Sequence, residues 1–146
     1  MYIREATLAD IPLMHHVRLT VKENTLTNPL AIQECDYVPF LTEKGKGWLC
    51  EMADRTIGFA ILDLQNTEVG ALFVDPLFEG QGVGTSLHDT MVNWYFSQAK
   101  AELRLSTEPG TRAYAFYHLK GWAETGQKSN GEIIFKMQRK DLHLLS

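Results

Sequence analysis

The apolar positions change period several times along the chain, and each change marks an element. Ile11, Met14, Val17 and Val21 fall at i, i+3, i+6 and i+10, the stripe of an amphipathic helix. Thr7 and Asp10 read as its capping box, the Thr7 hydroxyl accepting a first-turn N–H and the Asp10 carboxylate suiting the helix dipole. This helix is predicted to end near Asn28 and Pro29, and residues 2–6 before it read as a strand. A second helix is predicted over Ala31 to Leu41, with Cys35, Val38 and Leu41 on one side, before Gly45 and Gly47 break it. From Trp48 to Ala53 large apolar residues alternate with others, residues 54–56 turn, and Ile57 to Leu64 is almost wholly apolar. Residues 65–67 turn again into Glu68 to Val74. Three strands joined by tight polar turns predict an antiparallel meander.

The helical period returns with Val83, Leu87, Met91 and Trp94, giving a helix over Gly82 to Gln98 and then a strand over Glu102 to Ser106. Thr111 can cap a further helix that carries Ala113, Phe116 and Tyr117 on one face, with Gly121 as its left-handed stop. Trp122 to Gly126 and Glu132 to Met137 form a predicted hairpin around Ser129, Asn130 and Gly131. This order predicts an α/β (α+β) fold: a mixed, mostly antiparallel central sheet of about seven strands flanked by about four helices.

One junction stands apart. The apolar run Ala71 to Val74 stops at Asp75 and Pro76, three glycines follow at 80, 82 and 84, and a helix begins at once. A strand, a glycine turn and a helix N-terminus together point several backbone N–H groups at one spot, which suits an anion such as phosphate. Glycine lets the ligand approach the main chain closely. The spacing lacks the last interval of the dinucleotide fingerprint, and the Lys-Ser/Thr pair of a P-loop is missing.

The 146 residues suffice for one domain spanning 1–146. A formal net charge of −4 argues against a general nucleic-acid or anionic-membrane binder. No apolar run approaches a membrane span, and the charged start does not read as a signal peptide. Cys35 and Cys50 have no metal-ligand spacing; both read as small buried hydrophobes in a reduced, cytoplasmic protein. His15 and His16 point two ways around their helix, which disfavours joint metal ligation. No metal is expected.

Residues 74–87, VDPLFEGQGVGTSL, resemble the acetyl-coenzyme A signature of the GNAT superfamily of N-acetyltransferases, V-x-P-x-x-R/Q-G-x-G-I/V-G-x-x-L. Ala113, Phe116, Tyr117, Gly121 and Trp122 are similar to a second motif of that family, A-x-x-F/L-Y-x-x-x-G-F/W. The element order is also similar, so the resemblance covers nearly the whole chain. It implies transfer of an acetyl group from acetyl-CoA, as cosubstrate, to a primary amine of a small molecule or peptide, directly within a ternary complex. It further implies that backbone groups of Leu72, Phe73 and Val74 hold the pantetheine arm, and that Gly80, Gln81, Gly82, Val83, Gly84 and Thr85 take the pyrophosphate. Tyr117 stands where the family carries its general acid; a phenol near pKa 10 can protonate a leaving thiolate or donate a hydrogen bond to it.

An amine arrives mostly protonated, so a carboxylate must take its proton, directly or through a water. Glu68 is the first candidate, with Asp63 and Glu108 behind it. Neither cysteine has an activating context, which favours direct transfer over a covalent enzyme intermediate. Two departures from the family pattern bear on affinity. Glu79 replaces Arg or Gln at the head of the glycine turn, at a cost of up to about 4 kcal/mol for a carboxylate 4 Å from a phosphate at an effective dielectric near 20. Gly110 replaces a common Asn that contacts the cofactor arm, a contact Ser106 or Thr107 could replace. These departures leave a second reading, a non-catalytic acyl-CoA-binding sensor module. For the acceptor, Asp36, Tyr37, His15, His16, Glu23 and Trp48 are available, and a homodimer through the C-terminal hairpin is a further expectation.

Overall fold

The computed structural model describes residues 1–21 and 32–145. They form two compact units, 1–91 and 92–146. In the first, β1 (Tyr2–Glu5), β2 (Gly45–Met52), β3 (Arg55–Asp63) and β4 (Glu68–Val74) pair consecutively, every pairing antiparallel. The expected meander is therefore present. In the second, β5 (Glu102–Thr107) and β6 (Ala123–Gln127) both pair antiparallel with β7 (Ile133–Gln138). Seven strands and an α+β class agree with the sequence reading. Among the described residues the α-helices are α1 (Ile11–Thr20), α2 (Val83–Ser97), which begins in the first unit, and α3 (Arg112–Leu119).

The helical region expected over 31–41 is present from Glu34 onward as two 3-10 turns, Glu34–Tyr37 and Pro39–Leu41. Pro39 explains the difference: it has no N–H to give an α-helical bond, and its ring would clash with the carbonyl four residues back. The first helix is also shorter than expected. Val21 is already extended, and the Thr20 hydroxyl donates to the Val17 carbonyl at 2.6 Å, taking an acceptor at the last turn. The remainder of that expected helix, to Asn28 and Pro29, and Glu23 with it, lies outside the described residues. Between β2 and β3 the chain reverses at Ala53 and Asp54, both with positive φ (50° and 62°), one residue earlier than the polar run 54–56 suggests.

The core of the first unit forms where Ile11, Met14 and Val17 of α1 pack with Leu49, Phe59, Ile61 and Tyr37. At its edge the capping box closes. Asp10 accepts from the Thr7 N–H at 2.8 Å and from the Thr7 hydroxyl at 3.1 Å. Arg4 grips both oxygens of the buried Asp10 as well, at 2.9 and 2.7 Å. Those guanidinium hydrogen bonds, with the Thr7 donors, hold the carboxyl down at about 2 from an ordinary 3.8, against the opposing pull of burial.

A carboxyl whose folded pKa lies below its unfolded one adds stability above the unfolded value and loses it as pH falls through the folded one. Here that window runs from about pH 4 to 2, and the shift corresponds to roughly 2 kcal/mol. Asp10→Asn should thus lower unfolding free energy at pH 7 by about 2 kcal/mol. It should also flatten the acid limb, read by urea titrations at pH 7, 4 and 2.5. An unchanged acid limb would show that Arg4 does not hold this carboxylate in the folded state.

Candidate active site

β4 carries the first part of the site. Its register against β3 runs Phe59 to Phe73, Ala60 to Leu72 and Ile61 to Ala71, then jumps so that Leu62 faces Val69 and Asp63 faces Glu68. Gly70 is the extra residue of a β-bulge. Strict alternation would put Glu68 on the face of Leu72; the bulge moves it onto the face of Ala71 and Phe73. A glycine inside an apolar strand is the sequence signal for such a bulge.

That face lines a cavity of about 410 Å³, bounded by Arg18 of α1, Ile32, Asp36, Tyr37 and Phe40 of the turn region, Phe59, Ile61 and Asp63 of β3, and Glu68, Gly70, Ala71 and Phe73 of β4. Tyr37, Phe59 and Phe73 form an aromatic wall with ring centroids 6.1 and 5.6 Å apart, and His15 Nδ1 meets the Tyr37 hydroxyl at 3.1 Å. The three carboxylates differ in how they are engaged. Asp63 accepts from the Gln65 and Asn66 N–H groups and from the Asn66 amide, at 3.1, 3.0 and 2.8 Å, so it fastens the β3–β4 turn. Asp36 accepts from the Gln33 N–H at 2.7 Å and caps its own turn. Glu68 makes no hydrogen bond or ion pair to any described residue and is half-buried in the cavity wall.

Beyond β4, Asp75 is buried and its oxygens are spoken for: it accepts from the Leu77 N–H at 3.0 Å and from Arg55 at 3.1 Å. It pins the turn Pro76–Phe78 that delivers the glycines. Gly80 and Gly82 both adopt positive φ, 76° and 84°, and a Cβ at either would meet nothing within 4 Å. The backbone shape requires glycine there, while the space in front of it is open. The first bond back into α2 comes from the Ser86 N–H to the Gly82 carbonyl, at 3.0 Å, so the N–H groups of Val83, Gly84 and Thr85 have no acceptor inside the helix. Val83 and Leu87 meanwhile anchor α2 over β3: at Gly58 a Cβ would lie 3.0 to 3.1 Å from both side chains. The cradle fits a pyrophosphate. Glu79, at its head, is exposed.

A methyl at Gly82 must adopt a left-handed backbone, costing about 1–2 kcal/mol, and would occupy the cradle mouth. Gly82→Ala should therefore bind acetyl-CoA at least tenfold more weakly while losing only a few degrees of Tm, measured by calorimetric titration and thermal unfolding. Equal affinity would remove the cradle from the binding site.

Tyr117 belongs to the second unit. α3 starts as expected, the Thr111 hydroxyl accepting from the Tyr114 N–H at 3.2 Å, and ends at Gly121 with φ 87°. Tyr117 is 6% exposed, its ring packed edge-on against Phe116 and Trp122 at 5.2 and 5.5 Å. Burial pushes its phenol well above the ordinary 10. The sequence expectation of an unperturbed phenol is corrected: this group keeps its proton more firmly, because its anion has lost solvent. Glu108 precedes α3 in the same unit, and its carbonyl accepts from the Thr111 hydroxyl at 2.8 Å. Gly110 has φ 77°, a backbone need that explains glycine where the family carries Asn.

Other candidates move. Trp48 is buried in β2, 5% exposed, and does not line the cavity. His16 is exposed on α1. Cys50 is buried as expected, but Cys35 is exposed, since the 3-10 turn that carries it turns it outward. Among the described residues there is no group of three or more His, Cys, Asp or Glu arranged to hold a metal ion.

The chain matches the family described as the acetyltransferase (GNAT) domain over residues 32–140. It belongs to that family. Among solved structures it is similar to the ribosomal-protein-S18-alanine N-acetyltransferase of Escherichia coli, with 19% identity, a TM-score of 0.78, and 94% of this chain and 92% of that one covered. It is also similar to the ribosomal-protein-alanine N-acetyltransferase of Brucella melitensis, at 20% identity and TM-score 0.79 over 94% and 99% of the two chains. The PaiA N-acetyltransferase of Thermoplasma acidophilum, in complex with coenzyme A, follows at 15% identity and TM-score 0.76 over 94% and 98%. At these identities the likeness is one of fold. No curated protein matches the chain.

Proposed function

We propose that the protein transfers an acetyl group from acetyl-CoA to a primary amine in a ternary complex. The observation that carries this reading is the open cradle of Gly80 and Gly82 at the head of α2, continuous in sequence with a bulged β4 that turns Glu68 into an adjoining cavity. Residues 80–85 hold the pyrophosphate through backbone N–H groups, and the β4 backbone at Leu72, Phe73 and Val74 takes the pantetheine arm. Acetyl-CoA supplies the activated thioester. Glu68 receives the amine proton, directly or through a water, because it is the cavity carboxylate whose side chain is not engaged by any described residue. Tyr117 donates to the departing sulfur, a role that suits a phenol held in its protonated form. A cavity of this size along β4, the strand that leads into the cradle, supports an enzyme that takes an acceptor over a sensor that binds the cofactor alone.

The test is calorimetric titration with acetyl-CoA and CoA, followed by thiol release against a panel of amines. Micromolar binding with amine-dependent release supports the reading. Absence of binding would defeat it.

A further inference from the structure

The cavity beside Glu68 holds a cation as well as carboxylates. Arg18 reaches in from α1, and its guanidinium carbon stands 4.5 Å from the centroid of the Phe73 ring. It is half-buried, and among the described residues no carboxylate lies within ion-pair distance of it. Burial pushes its pKa below the ordinary value, partly offset by Tyr37. A guanidinium presents a planar N–H fork that matches a carboxylate with two parallel hydrogen bonds. A half-buried guanidinium with no carboxylate within ion-pair distance among the described residues favours an anionic ligand group as its complement.

The remaining wall is apolar: Ile32, Phe40, Phe59, Ile61 and Ala71. Phe73, Ala71 and Glu68 succeed one another along one face of β4, roughly 13 Å from end to end at strand spacing. Arg18, at the Phe73 ring, and Glu68 line the cavity at the two ends of that face. The cavity therefore presents a carboxylate, an apolar middle and a guanidinium in order.

We infer that the acceptor is a small ω-amino acid: a primary amine facing Glu68, an apolar chain against the aromatic wall, and a carboxylate at the far end held by Arg18. This rests on the acetyltransferase reading above and narrows it. A purely cationic acceptor such as a polyamine would set its second charge against Arg18, and an amine with no anionic group would gain nothing from it.

The experiment compares thiol release with 4-aminobutyrate, 6-aminohexanoate and 8-aminooctanoate against butylamine, hexylamine and octylamine, which keep the amine and apolar chain but lack the carboxylate. At least one amino acid should exceed its matched amine by tenfold or more in kcat/KM. That ratio should fall to near one in Arg18→Gln and stay intermediate in Arg18→Lys, which keeps the charge without the planar fork. Equal kcat/KM for every pair, or a preference that survives in Arg18→Gln, overturns the inference and leaves the acetyltransferase reading intact. Acetyl-CoA binding without transfer to any amino acid overturns it as well. Failure to bind acetyl-CoA, read separately by calorimetry, defeats the broader reading and this one with it.

Discussion

Tyr117→Phe should lower kcat for amine-dependent thiol release by about 100-fold or more, with acetyl-CoA affinity unchanged within about threefold. The substitution removes one oxygen and keeps the ring, so the packing against Phe116, Trp122 and Phe135 survives and the effect isolates the proton. Burial holds the phenol above its ordinary pKa, so it stays protonated across any practical assay range. Its ionisation should therefore add no alkaline limb to the wild-type pH profile below about pH 10. Stopped-flow thiol detection and calorimetry on the same preparations separate the two quantities. A kcat within threefold of wild type would make Tyr117 a packing residue and return the leaving-group role to water.

Glu68→Gln is the second large effect. The amide has the shape of the carboxylate but cannot take a proton, and general-base contributions of about 100-fold or more are ordinary. We expect kcat/KM to fall by that order near pH 7 and to recover steeply as pH approaches the pKa of the amine, where solvent has already removed the proton. Wild type should show a much shallower rise over the same range. The contrast with Asp63 is instructive. Directly opposite Glu68 in the β3–β4 register, Asp63 spends its oxygens on Gln65 and Asn66, so its loss should appear chiefly in stability. A variant Glu68→Gln with wild-type rates at pH 7 would exclude Glu68 as the base.

Much of this site was legible in the chain because it depends on local chemistry. Gly80 and Gly82 announce positive φ, Asp75 and Pro76 end a strand, and Val83, Leu87 and Met91 begin a helix; each signal acts over a few residues. The Thr111 cap and the Gly121 stop of α3 were readable for the same reason. The errors came where a local pattern met a stronger neighbour. Pro39 divides the helical region before β2 into two short turns. Gly70 shifts the register of β4 and brings Glu68 onto the face of Ala71 and Phe73, a bulge that the sequence reading did not include.

The sequence by itself determined the element order, the glycine cradle and the family, since turn geometry, apolar periodicity and two spaced motifs are all written in neighbouring residues. Only the tertiary structure decided what surrounds each side chain. Arg18 and Glu68 are 50 positions apart in the chain, yet they line one cavity because α1 packs over β3 and β4. Trp48 looks available in sequence and is buried. Whether a carboxylate is engaged or free, a phenol solvated or dry, follows from partners brought in by the fold, and no local pattern encodes that.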